Sequence, residues 1–415
     1  MTSVLFQNFG CRVNQAEAFA WAEELQNRGL KLERAVERSD LIVVNTCTLT
    51  HRADRDVRRF LRKAVRLNPD VGFVLTGCSV ALEAGRFADW PGVRLVVPNE
   101  DKARLADRVL GLVGESAPGP AEPFRSRALL KVQDGCDCSC AFCIIPSVRG
   151  RGRSLPAAEV RARVRRYAQQ GYAEVVLSGV HLASYGADLA PRTSLVELLG
   201  TLEGEADGIR IRLSSLDPRF LSDALLARLA AGTMICPHFH FSLQSGADAV
   251  LEGMGRRAAA ARFAEILGRL AEAVPDVALG ADMLVGFPGE SDEDFERTVG
   301  FVEASPLTYC HVFSFSPRAG TPAAARPQIG ARVKKARSAR LRALAAEKNL
   351  VFRRRFLGRE SDAVVIKRRG LGGEVLTPNY IKVRVPDGLP EARRRVRVRI
   401  EGVSADATEG RVRRP

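Results

Sequence analysis

Two stretches of this chain alternate short apolar runs with helical patterns, and cysteines stand just past the ends of four of those runs. In the first stretch the runs are Val4–Phe6, Leu41–Val44, Phe73–Leu75 and Val93–Val97. This alternation predicts an α/β fold built on a parallel, doubly wound sheet. Strands of such a sheet end on one edge, where α/β folds place their ligands. Cys11 follows Asn8-Phe-Gly, Cys47 follows Val43-Val-Asn-Thr, and Cys78 follows Leu75-Thr-Gly. Three residues far apart in sequence are therefore expected at one spot. Free cysteine is also a common core residue, but one topological position used three times points to a shared cluster.

In the second stretch, residues 122–325, the candidate strands are Ala128–Val132, Glu174–Ser178, Ile209–Ser214, Phe239–Leu243, Leu279–Val285 and Cys310–Phe315. Helical segments such as Ala157–Ala168, with Val160, Val164 and Tyr167 on one face, lie between them. Six such units predict a partial (β/α) barrel whose chemistry sits at the strand C-termini. Directly after the first of these strands, Cys136, Cys140 and Cys143 stand in a C-x3-C-x2-C spacing. Three thiolates can hold three irons of a cubane cluster and leave the fourth open to a small molecule. A structural zinc site is the alternative that the C-x2-C pair leaves open. Ser178-Gly-Val-His181, Ser214-Ser215, Gln244-Ser-Gly246 and Gly286-Phe-Pro-Gly289 fall at the same expected mouth.

The last stretch differs in charge and in pattern. Residues 326–415 carry 25 Lys or Arg against 9 Asp or Glu, which leaves 38 against 39 for the rest of the chain. The overall net charge of +15 is thus a property of one terminal module, and it suits a polyanion such as nucleic acid. Residues 331–350 read as a basic helix. Short runs at Ala363–Ile366, Glu374–Thr377, Ile381–Val385 and Val396–Ile400 read as a small β-barrel. Arg393, Arg394, Arg395, Arg397 and Arg399 are expected along one rim, and Tyr380 is expected to stack on a base. Pro118, Gly119 and Pro120 mark a linker, so the modules are expected at 1–117, 122–350 and 351–413. Asn14 with Glu17 forms a capping box before Phe19 and Trp21, with Gly29 as the stop. Nine cysteines, an odd number, do not suggest a secreted disulfide scaffold, and a reducing cytoplasm is expected. No apolar run approaches the roughly 18 residues needed to span a membrane, and no signal peptide is read at the N-terminus.

These motifs, taken in order, resemble the tRNA methylthiotransferases, which are radical S-adenosylmethionine (SAM) enzymes with an N-terminal cluster domain and a C-terminal RNA-binding barrel called TRAM. The resemblance spans essentially the whole chain. It rests on Phe9-Gly-Cys-Arg-Val-Asn-Gln15, Asn45-Thr-Cys-Thr48, Leu75-Thr-Gly-Cys78 and the segment from Asp134 to Pro146. Leu177-Ser-Gly-Val180, Arg212-Leu-Ser-Ser215, His238 to Gly246, Asp282 to Glu290 and Asn379-Tyr-Ile-Lys-Val383 complete it. Carbon 2 of adenine bears a C–H bond that no side-chain base usefully deprotonates, so a cofactor-derived radical is needed.

The resemblance implies two 4Fe–4S clusters and SAM. One cluster, on Cys11, Cys47 and Cys78, would present a sulfur that a first SAM methylates. The other, on Cys136, Cys140 and Cys143, would cleave a second SAM to a 5′-deoxyadenosyl radical, with Ser178, Gly179 and Gln244 helping to line the SAM cavity. The implied partners are the tRNA anticodon stem-loop, a reducing electron donor and a sulfur source. Gly10-Cys-Arg-Val-Asn-Gln15 and Pro378-Asn-Tyr-Ile-Lys-Val383 look most like the branch acting on N6-threonylcarbamoyladenosine at tRNA position 37. The isopentenyladenosine branch, methylthiolation of a ribosomal protein, and a non-enzymatic iron-sulfur RNA-binding protein are the alternatives. Phe315 stands where the family often has Tyr, and Cys138 is an extra thiol within the cluster loop. Cys236 and Cys310 are expected in the core.

Overall fold

The apolar runs of the first stretch are near-continuous because each strand buries both faces, as parallel strands do. A computed structural model describes residues 2–115, 117, 124–203, 208–257, 259–390 and 394–413. The proposed Pro118–Pro120 linker and Arg393 lie outside the described residues. The N-terminal module runs β1 (Ser3–Asn8), α1 (Arg12–Asn27), β2 (Lys31–Glu33), β3 (Leu41–Thr46), α2 (His51–Leu67), β4 (Gly72–Gly77), α3 (Cys78–Ala88), β5 (Val93–Val97) and α4 (Leu105–Val113). Its sheet is all parallel, in the order β2-β1-β3-β4-β5. Along β3, Leu41 and Val43 pack with Trp21, Leu25 and Val109 on one face, while Ile42 and Val44 pack with Val57, Leu61 and Val80 on the other. The doubly wound expectation holds. The short strand β2 escaped it because Lys31-Leu-Glu33 has only one apolar residue.

The middle module contains β6 (Ala128–Asp134), α5 (Ile145–Arg149), β7 (Arg153–Ser154), α6 (Ala157–Gln169), β8 (Glu174–Gly179), α7 (Leu195–Leu202), β9 (Arg210–Leu213) and α8 (Asp223–Ala231). It continues with β10 (His238–Gln244), α9 (Asp248–Gly253), α10 (Ala260–Ala273), β11 (Ala278–Val285), α11 (Asp292–Ala304), β12 (Tyr309–Ser314) and α12 (Ala331–Arg354). All six predicted strands form, in two parallel groups, β6-β8-β9 and β10-β11-β12. Among the described residues, only the isolated bridges Ile211–Ile235 and Leu216–Phe241 link the groups, so the barrel is partial. Phe239, Phe241 and Leu243 of β10 join the core with Phe263 and Ile266 of α10, and the alternate residues are polar.

The C-terminal module is a closed barrel of β13 (Glu360–Arg369), β14 (Gly372–Leu376), β15 (Lys382–Val385), β16 (Arg395–Val403) and β17 (Thr408–Arg413), ordered β13-β14-β15-β17-β16. Strand β16 alternates strictly: Val396, Val398 and Ile400 are buried and Arg395, Arg397 and Arg399 are exposed. Strand β17 was missed because Thr-Glu-Gly-Arg-Val-Arg offers one large apolar residue. Tyr380 departs from expectation. Its ring stacks on His238 of the middle module at 4.1 Å between centroids, and its hydroxyl accepts a 2.6 Å hydrogen bond from Arg12 of the first. It joins the three modules, and its ring is engaged within the chain.

Candidate cluster sites at a shared interface

Each of the three N-terminal cysteines is placed by the strand before it. Cys11 is the N-cap of α1, Cys47 follows β3, and Cys78 opens α3 after β4. Strands β1, β3 and β4 are adjacent, so the three thiols converge at one edge. Two glycines make room. A Cβ on Gly10 would lie 2.6 Å from Cys47 Sγ, and one on Gly77 would lie 2.3 Å from the Thr46 carbonyl. Both have positive φ, +97° and +106°, a region open to glycine. Burial pushes the Cys47 thiol up to about 12 and also raises Cys78. A thiol so raised stays protonated unless a bound metal displaces its proton.

The proposed capping box does not form. The Cys11 side chain accepts no capping hydrogen bond from the backbone of α1, and Asn14 and Glu17 are buried inside the helix. The reason is that α1 is wedged between two modules: Ala18, Trp21 and Leu25 face the N-terminal sheet, while Ala16 and Phe19 face the middle module's core. A helix covered on both sides keeps its polar groups only if they are paired. Asn14 Nδ2 donates to the carbonyls of Phe9 (2.8 Å) and Thr46 (2.9 Å), clasping the loops that carry Cys11 and Cys47.

Glu17 is the centre of a buried charge network. Its carboxylate accepts from Lys102 (2.8 Å) and Asn45 (3.0 Å) of its own module and from Lys131 (3.0 Å) and Arg149 (3.0 Å) of the middle one. Lys131 and Arg149 each also donate to Asp134 at 2.7 Å, and Arg149 reaches Asn14 Oδ1 at 2.6 Å. Burial works against the Glu17 carboxylate, yet Lys102, Lys131 and Arg149 hold it well below the usual carboxylate range. Arg149 ends the short helix α5 that follows Cys143, and Cys78 packs on Ile144 and Val148 of that segment. The segments that carry the two cysteine sets thus border one interface, which also buries three cations against two carboxylates. Sequence reading missed this network, whose only signal was charge in the apolar surroundings of α1.

Cys136, Cys140 and Cys143 lie half-buried in the loop after β6. Gln133 pins that loop: Nε2 donates to the carbonyls of Asp134 (3.0 Å) and Gly135 (2.9 Å), and Oε1 accepts from the His181 N–H at 2.7 Å. A Cβ on Gly135 would stand 1.9 Å from the Arg151 carbonyl. Arg219 lies 3.7 Å from the sulfurs of both Cys138 and Cys140, and Arg256 lies 3.9 Å from Cys140 Sγ. Asp217 accepts from both arginines, at 2.7 and 3.0 Å, and fixes them there. Such cations offset the charge of several thiolates. Burial raises Cys143 to about 11. Cys138 is not remote: its sulfur, that of Cys136 and a ring nitrogen of His181 lie within 4.8 Å of one another.

Of the residues expected to meet SAM, Ser178 is fully buried, and its hydroxyl has no hydrogen-bond partner among the described residues. Ser215 Oγ and His181 Nε2 likewise lack a hydrogen-bond partner among the described residues, with Asp217 4.0 Å from His181 Nε2, and this fits a polar ligand. Gly179 is explained by packing, since a Cβ there would lie 3.0 Å from Leu182 Cα and 3.1 Å from Gln133. Gln244 ends β10 at φ +76°, a strained backbone for a residue with a side chain. Cys236 is buried beside Glu174, and Cys310 packs on the core. A cleft of about 730 Å³ opens where the modules meet, with Arg12, Arg127, Tyr309, His311, Tyr380 and Lys382 in its lining.

A partial barrel carrying a three-cysteine loop, docked on a doubly wound sheet carrying a second set, defines a SAM-dependent radical enzyme with an auxiliary cluster. Residues 130–302 match the radical SAM superfamily, and residues 3–97 match the Uncharacterized protein family UPF0004. Proteins of Rickettsia prowazekii and Aquifex aeolicus, each named threonylcarbamoyladenosine tRNA methylthiotransferase MtaB, are 34% identical over 91% and 96% of this chain and 90% and 100% of their own. The chain belongs to that methylthiotransferase family. A tRNA-2-methylthio-N(6)-dimethylallyladenosine synthase of Desulfitobacterium hafniense is 31% identical over 86% of this chain and 85% of its own. Among solved structures, the radical SAM methyltransferase TsrM of Kitasatospora setae shares the fold, with a TM-score of 0.55 at 15% identity over 78% of this chain and 77% of its own. No helix among the described residues is long and apolar enough to cross a membrane.

Proposed function

We propose that the protein adds a methylthio group to carbon 2 of N6-threonylcarbamoyladenosine at tRNA position 37. What supports this is that the segments bearing both three-cysteine sets border one interface. One set would serve to make a radical and the other to hold sulfur, and methylthiolation of an unactivated C–H needs both. Cys136, Cys140 and Cys143 would hold one 4Fe–4S cluster, and Cys11, Cys47 and Cys78 the other. When bound, the first would supply the electron that cleaves SAM and the second the sulfur to be transferred.

The chain's own residues do the positioning. Gln133 and Asp217, through its two arginines, fix the first loop; Asn14 fixes the second; Glu17 and Arg149 hold the two at a set separation. Ser178, Gly179 and Gln244 would border SAM, and the cleft beside Tyr380 would admit the nucleoside. An external reductant and a sulfur source are required by the stoichiometry. Modules at 1–117, 122–350 and 351–413 would divide these tasks as auxiliary-cluster, radical and RNA-binding parts, in the cytoplasm where tRNA is modified.

The test is nucleoside mass spectrometry of tRNA from a deletion strain complemented with parent or Cys47→Ala protein. The parent restores the methylthio group on threonylcarbamoyladenosine and the variant does not. Reduced Cys47→Ala protein, matched to the parent by circular dichroism, still releases 5′-deoxyadenosine from SAM. Restoration only on the isopentenyl nucleoside, or by the variant at the parent rate, would refute the assignment.

A further inference from the structure

The N-terminal 325 residues are close to neutral as a whole, and that balance hides helix α2. Its sequence, His-Arg-Ala-Asp-Arg-Asp-Val-Arg-Arg-Phe-Leu-Arg-Lys-Ala-Val-Arg-Leu, holds seven Arg or Lys and two Asp. The apolar residues Val57, Leu61 and Ala64 are buried against the sheet, so the cations are left on the opposite side. Arg55, Arg59, Arg62 and Arg66, spaced one helical turn apart, are exposed along it. With Arg58 they line a shallow groove of about 520 Å³ whose lining contains no carboxylate and no apolar side chain. Among the described residues, Arg55, Arg58, Arg62 and Arg66 have no ion-pair partner, and Arg59 has only the exposed Asp56 at 4.0 Å. Asp54 is turned inward, accepting from Ser79 and from Arg318 of the middle module at 2.7 Å.

We infer that this face of α2 is a second RNA-backbone site, separate from the basic C-terminal module, which takes phosphates of the substrate tRNA. Five guanidinium groups held together with only Asp56 at 4.0 Å as counter-charge repel one another, so the surface favours a polyanion. A protein partner would need an apolar or aromatic anchor in the groove, and there is none. A phosphate backbone needs only charge and bidentate donors. Location agrees with this. Helix α2 begins four residues after Cys47, and Arg318 ties its first turn to the middle module. The stripe from Arg55 to Arg66 then leads away from the cluster interface for about 16 Å. A nucleoside at the interface would leave the neighbouring strand of its stem free to follow the stripe. The inference rests on tRNA being the substrate.

The experiment measures binding of an anticodon stem-loop bearing threonylcarbamoyladenosine to reconstituted protein across salt concentrations. The variant Arg55→Gln/Arg59→Gln/Arg62→Gln/Arg66→Gln is expected to flatten the slope of log affinity against log salt by about 2–3 units. The four-lysine variant keeps it. Arg59→Gln/Arg62→Gln, a milder change, is expected to lose about half as much and serves if the fourfold variant does not fold. Release of 5′-deoxyadenosine without RNA is unchanged in all three. An unchanged slope in folded glutamine variants overturns the inference, as does an unchanged slope with slower reduction by an acidic electron-transfer protein. If the parent itself fails to bind the stem-loop, the tRNA assignment is what fails.

Discussion

Replacing Glu17 by Gln tests whether the buried network joins the two cluster sites as argued. The parent carboxylate accepts from Lys102, Lys131 and Arg149 at 2.8–3.0 Å, and Glu17, Lys102 and Arg149 are almost fully buried. Glutamine keeps the volume and removes the charge. Three cations are then left with Asp134 alone, which touches only Lys131 and Arg149. Stranding a buried charge costs about 3–5 kcal/mol. The chain's two tryptophans, Trp21 and Trp90, both lie in the N-terminal module, and Trp21 Nε1 donates to the Lys102 carbonyl at 3.2 Å. Tryptophan fluorescence therefore follows this module. In urea, with a slope of about 2 kcal/mol/M, the midpoint should fall by about 2 M when iron content is matched. Lys102→Met removes the most isolated of the cations, so the double variant Glu17→Gln/Lys102→Met should be less destabilised than the sum of the singles by at least about 1 kcal/mol. A midpoint within about 0.3 M of the parent, or strict additivity, would refute the network's role.

Anaerobically reconstituted parent should carry about eight irons, and Cys136→Ala/Cys140→Ala/Cys143→Ala about half, by iron assay; stoichiometric zinc with little iron would contradict the cluster reading. Cys138→Ser should leave that iron content and the spectrum of a 4Fe–4S cluster intact, whereas a loss of iron would make Cys138 a ligand. Arg394→Ala/Arg395→Ala should flatten the salt dependence of tRNA binding by about one to two units, since Arg394 and Arg395 are exposed. Burial works against Glu174, but Arg212 and Arg127 hold its carboxylate down to about 2. Because this value is depressed, the contribution of the Glu174 carboxylate, about 3 kcal/mol, is complete above the unfolded value near 4.3 and is lost as pH falls toward 2. Acid titration by circular dichroism should show that loss in the parent and a flatter response in Glu174→Gln.

What the sequence determined was whatever follows from period and position. Near-continuous apolar runs fixed the strands, because a parallel strand buries both faces. A cysteine at the end of each of three runs marked one sheet edge, and C-x3-C-x2-C is local enough to read without a fold. What only the tertiary structure decided depends on which modules touch. Asn14 and Glu17 have the spacing of a helix cap, and only the wedging of α1 between two cores turns them into a loop clasp and the hub of an ion network. Tyr380 reads as a free aromatic until His238 and Arg12 arrive from the other two modules. The arginines of α2 vanish in a segment-wide charge balance and become a groove once Asp54 is drawn inward to Arg318. Charge and aromatic side chains take their roles from neighbours distant in sequence, while hydrophobic period is set by neighbours a few residues away.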